Sequence, residues 1–156
     1  MNTVDLASLI EQYRAGLETQ LAQLGPLETI AAAQLQAAQA VDIAALTPAS
    51  SERQTLTSNF IAAAEQIEPA LAGLTRERAA AQRVPGYHDA IRLEQTVARM
   101  VKTILEIDRD SIRLLEQIVT DRREAVQVAE HAEATLAAYG RESVTRPRPT
   151  LISRIG

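Results

Sequence analysis

Alternating strides of three and four residues from Ile10 land on Ile10, Tyr13, Leu17, Gln20, Leu24, Leu27, Ala31, Gln34, Ala38, Val41 and Ala45. Nine of these eleven positions are apolar, which is the seam of a helix that faces another helix. The phase survives Pro26, so the spacing predicts one helix over 3–46, kinked at the proline rather than ended by it. Thr47-Pro48-Ala49-Ser50 then reads as a stop, and Ser51 with Gln54 three residues on reads as the capping box of a second helix. Leu56, Phe60, Ala63, Ala64, Ile67, Leu71 and Leu74 carry that helix over 51–81, through Pro69. Arg83-Val84-Pro85-Gly86-Tyr87 is the next break, since Pro-Gly supplies one fixed φ and one permissive one.

The third run is the longest. Leu93, Val97, Met100, Ile104, Ile107, Ser111, Leu114, Ile118, Asp121, Ala125, Val128, Ala132, Thr135 and Tyr139 keep the heptad rhythm over a helix predicted at 88–139. A flanking stripe of Val101, Leu105, Ile112, Leu115 and Val119 widens the apolar face, as suits packing against two helices at once, and it thins to alanine beyond Val119. Gly140 is the expected stop, followed by a flexible, basic, Pro-containing tail over 140–156.

These elements predict an all-α fold: a long antiparallel helical hairpin extended to a three-helix, coiled-coil-like bundle, forming a single domain over 1–139. At ~1.5 Å per residue the three helices measure roughly 65, 46 and 78 Å, so the last would overhang the second by ~30 Å. The overhang falls at about 120–139, where the second apolar stripe also disappears. Three things could cover such a stripe: a partner protein, a second copy of the chain, or a return of the chain on itself.

Composition fits that picture. One Phe, no Trp and three Tyr leave the core to Ala, Leu, Ile and Val, and with Gln, Glu and Arg these residues favour helix over strand. The absence of cysteine removes disulfides, thiolate nucleophiles and Cys-based zinc sites. The opening Met1–Asp5 leads directly into a patterned helix, and no apolar run approaches the ~20 residues needed to span a bilayer, so the expectation is a cytoplasmic protein. The tail from Gly140 has Arg141, Arg146, Arg148 and Arg154 against Glu142, net +3, which leaves −7 on the rest of a chain whose total is −4. An acidic body argues against nucleic acid.

Candidate chemistry is sparse, and no enzyme is expected. His88 and His131 are far apart, have no ligand partners at metal spacing, and read as surface residues. Glu106, Asp108 and Asp110, with Arg109 and Arg113 in reach, read as a solvated face. The glycines form no phosphate loop, no serine sits in a nucleophile turn, and no cofactor or metal is implied. Gln20 and Gln34, the polar members of the first seam, read as amides that fix helix register. In the tail, Leu151-Ile152-x-x-Ile155 follows an Arg-Pro-Arg-Pro spacer, the layout either of a peptide that folds on binding or of plain disorder.

A first helix closing on Asp42-Ile43-Ala44-Ala45-Leu46, an Arg and a Leu like Arg53 and Leu56, a long last helix with a Tyr near its end like Tyr139, and a Pro-containing tail together resemble the flagellar export chaperones of the FlgN family. Ala and Gln fill Ala31 to Ala40 where that family has Leu-rich, Lys-containing stretches. The resemblance implies a chaperone that acts without ATP and guards a flagellar hook-associated protein before secretion, with the last helix and tail holding the client's C-terminal helical part. On that expectation Val126, Ala129, Ala132, Leu136 and Tyr139, helped by Leu151 and Ile152, would pair with an amphipathic helix of the client. The alternatives are a structural coiled coil or adaptor working as a homo-oligomer, such as a homodimer, and a lipid- or granule-surface coat, disfavoured because no Lys-rich polar face is present. Membrane insertion is not expected.

Overall fold

The computed structural model describes residues 2–145, apart from the side chains of 47–49 and 142–145. Every regular element among the described residues is helical: α1 (Thr3–Gln39), a 3₁₀ turn (Ile43–Leu46), α2 (Thr47–Arg76), the single turn α3 (Arg78–Ala81) and α4 (Tyr87–Thr145). The fold is an all-α helical bundle. Two compact units divide the chain, Met1–Leu115 and a second beginning at Glu116, so that α4 belongs to both.

Within the first unit the predicted seam of α1 is the buried face. Ile10, Tyr13, Leu17, Gln20, Leu24, Leu27, Ala31 and Ala38 are all buried, and Leu6 extends the rhythm back one turn. At the start of α1 the Asn2 amide donates to the Asp5 carboxylate at 3.3 Å, an acidic first turn that also complements the helix dipole. Pro26 and Pro69 both lie inside helices on exposed faces, where water can satisfy the carbonyls that lose a donor. α1 and α2 run antiparallel: Leu9 faces Gly73 and Gly16 faces Ile67, where a Cβ on Gly16 would lie 1.7 Å from Ile67 Cγ2. Ala90, Val97, Ile104 and Ser111, spaced by sevens, are the buried face of α4 in this unit. The first three join the α1 and α2 residues in one apolar cluster.

Five helix boundaries differ from the sequence expectation. α1 stops at Gln39 instead of continuing to 46, so Val41 and Ala45 are exposed rather than part of the seam. The end is a Schellman closure: Val41 N–H bonds Ala38 O at 3.1 Å and Asp42 N–H bonds Ala37 O at 2.9 Å, with Val41 at φ 56°. Asp42 Oδ1 then accepts from Ala45 N at 3.2 Å and starts the 3₁₀ turn. α2 begins at Thr47 rather than 51, because Pro48 in a first helical turn starts a helix as readily as it stops one; Ser51 and Gln54 lie inside α2 instead of capping it. The second helix is interrupted at Glu77, one turn before its expected end.

α4 has the other two: it starts at Tyr87 after Gly86, whose φ of +89° suits glycine and whose α-carbon lies over Ile10. It also runs through Gly140 to Thr145. A single exposed glycine costs a helix only ~1 kcal/mol relative to alanine, and Arg146-Pro147 in the sequence is a stronger stop. Residues 140–145 are therefore helix rather than tail, and the remainder of the expected tail lies outside the described residues. The expected second stripe of α4 is not a packed face: Leu105, Ile112 and Val119 are exposed, while Val101 and Leu115 are partly covered.

Candidate interaction surfaces

In the second unit every described side chain of α4, from Val119 to Arg141, is exposed. Val126 is 56% exposed, Leu136 71% and Tyr139 70%, with Ala129 and Ala132 exposed between them. At 100° per residue these five positions share roughly 140° of the helix circumference, a coherent apolar stripe. Val119 and Val126 flank a shallow groove with Arg122, Arg123 and Gln127. Leu151 and Ile152 lie outside the described residues. The seven-residue rhythm that buries Ala90, Val97, Ile104 and Ser111 continues in the sequence as Ile118, Ala125, Ala132 and Tyr139; Ile118 is half-covered and the other three are exposed.

Where the hairpin turns, the first unit has a polar clasp that the sequence reading missed. Arg53 on α2 donates Nη1 to Gln34 Oε1 of α1 at 2.5 Å and Nη2 to Asp108 Oδ2 of α4, so one guanidinium ties three helices together. Arg53 and Asp108 are both about three-quarters covered. Asp108 is thus not part of a solvated acidic face, whereas Asp110 is, pairing with Arg113 at 3.0 Å. The signal available in the sequence was Gln34, a polar member of an otherwise apolar seam, opposite an arginine at the start of the returning helix. The clasp borders a cavity of about 340 Å³ that also meets Ser111, whose buried hydroxyl has no hydrogen-bond partner.

A second polar contact crosses the core. The Tyr13 hydroxyl lies near the Glu94 carboxylate of α4, and burial, reinforced by that carboxylate, pushes the phenol well above its ordinary range. His88 packs edge-on against Tyr87 with ring centres 5.6 Å apart, and His131 is exposed. Among the described residues no group of three or more His, Asp or Glu could hold a metal ion, and no helix is long and apolar enough to cross a membrane.

No protein-family model, no curated protein and no solved structure matches this chain.

Proposed function

We propose that this protein is a non-enzymatic, cytoplasmic export chaperone that binds an amphipathic C-terminal helical segment of a flagellar hook–filament junction protein before its secretion. The observation that carries the reading is the stripe of Val126, Ala129, Ala132, Leu136 and Tyr139 on a helix none of whose described side chains beyond Val119 is covered. An aliphatic or aromatic side chain buried there contributes ~1 to 3 kcal/mol, so a handful gives micromolar binding after ordering costs. Covering the client's own sticky helix keeps it unassembled, and neither ATP nor a cofactor enters. The resemblance to the FlgN family supplies the kind of client, and Leu151 and Ile152 would extend the contact.

The test is binding of the full chain to the C-terminal helical segment of a flagellar hook-associated protein. Leu136→Glu with Val126→Glu should abolish binding while leaving the helical circular dichroism and melting temperature unchanged. Binding that survives both charges removes the site. The same stripe also supports a structural coiled coil acting through homo-oligomerisation. In that case sedimentation shows a concentration-dependent dimer that these two substitutions dissociate, with no client captured.

A further inference from the structure

A furrow on the first unit, separate from the α4 stripe, has the features of a second docking surface. Its walls are α2, with Ile67 and Leu71, and α4, with Val97, and its floor is the buried face of α1. The cavity measures about 410 Å³ and adjoins a smaller one of about 210 Å³ with which it shares Tyr13, Leu71 and Glu94. Along α2 the two together extend from Ala64 to Thr75, which at ~1.5 Å per residue is roughly 17 Å, or about three helical turns.

Three features define what fits. Leu71, a large apolar residue in the middle of the furrow, is exposed, so the walls are apolar and wet. Gln20 on the floor is only 5% exposed and places a polar amide at the border of the cavity. An occupant with a polar group opposite this amide would take the place of the water that reaches it through the cavity. The rim of the larger cavity is acidic: Glu65 and Glu68 from α2 and Glu94 from α4 border it with no basic side chain, while Arg78 stands at the far end of the smaller one.

We infer that this furrow docks a basic amphipathic helix of a partner protein, laid between α2 and α4 as a fourth helix over Tyr13, Leu17 and Gln20. Apolar residues of that helix cover Leu71 and Ile67. A polar side chain reaches the Gln20 amide, and Lys or Arg stems flank the contact so that their cations meet Glu65, Glu68 and Glu94. The length of the furrow selects an elongated ligand over a compact one, and its rim selects the sign of the charge. The inference does not depend on the chaperone reading, because it uses no residue beyond Ala98.

The probe is a synthetic helix of about five turns built from leucine, lysine and one central glutamine, fluorescently labelled and titrated into the full chain. A matched peptide with glutamate in place of lysine serves as control. The lysine peptide should bind at least ~10-fold more tightly than the glutamate peptide, and more weakly as salt is raised. Glu65→Gln with Glu68→Gln should weaken it about fivefold. Gln20→Met, close in shape, should keep a cooperative melting transition and yet weaken the peptide; a purely structural Gln20 would leave binding unchanged. Amide shifts in heteronuclear NMR should centre on Gln20, Leu71 and Val97. Shifts confined to residues beyond Glu116, equal binding of the two peptides, indifference to the paired glutamine substitutions, or a furrow already filled by a second copy without peptide would each overturn the inference.

Discussion

Val41 holds a conformation that costs a β-branched side chain dearly. At φ 56° it closes α1 in the place that glycine or asparagine usually takes, and it is 52% exposed, so little packing offsets the strain. Val41→Gly should therefore stabilise the fold by about 1 kcal/mol in chemical denaturation, even though it loosens the unfolded chain. A loss of stability would mean that the valine side chain contributes packing that its exposure does not suggest. Tyr13 makes the complementary point about ionisation. Its folded pKa lies above the value near 10 of the unfolded phenol, so the folded state holds the proton more tightly. The stability linked to this group is fully present below pH ~10 and is lost as pH rises from there towards the folded value. Alkaline denaturation should steepen in that window, and Tyr13→Phe, followed by the same urea titrations, should flatten it.

At the scale of elements, the register between α1 and α2 is set by small residues meeting large ones. Gly16 leaves no room for a methyl group against Ile67, and Leu9 fills the space over Gly73. Gly16→Ala gains ~1 kcal/mol of helix propensity but forces the two helices apart, and the net effect should be a loss of about 1–2 kcal/mol by thermal denaturation. The loss should shrink in an Ile67→Ala background, because the clashing carbon is then gone; additive costs would show that the clash relaxes elsewhere. The Arg53 clasp acts between elements too. Gln34 and Asp108 give the guanidinium two partners on two helices, which fixes where the returning helix and α4 stand relative to the turn.

For the molecule as a whole, burial is concentrated in the unit Met1–Leu115, while the described side chains beyond Ile118 are exposed. A chain ended after Thr120 should lose helical ellipticity in proportion to the residues removed and keep a cooperative transition at nearly the same temperature, measured by circular dichroism. A collapse of the transition would place residues beyond 120 in the folding core and leave the proposed client stripe without a free surface.

Much of the bundle was legible in the pattern of apolar positions. The α1 seam from Ile10 to Ala38 and the α4 seam to Ile118 needed only the repeat of three and four residues, because burial against a neighbouring helix requires that repeat of any sequence. Of the candidate client stripe, Ala132 and Tyr139 continue the same rhythm while Val126, Ala129 and Leu136 lie beside it, and the count of helix lengths is what led the sequence to expect them uncovered. The ends of helices were harder to read. Pro48 starts a helix, Gly140 sits within one, and α1 closes on a valine, because caps depend on a few backbone hydrogen bonds worth about 1 kcal/mol that neighbouring packing can outweigh. Sequence alone determined that this chain is helical and which faces of its helices are apolar, since both follow from local spacing and propensity. Tertiary structure alone decided that Asp108 serves Arg53 rather than solvent, that Gly16 must be small, and that Gln20 is left to border an acidic furrow. Each of these depends on which residues distant in the chain are brought within a few ångströms, and no local pattern encodes that.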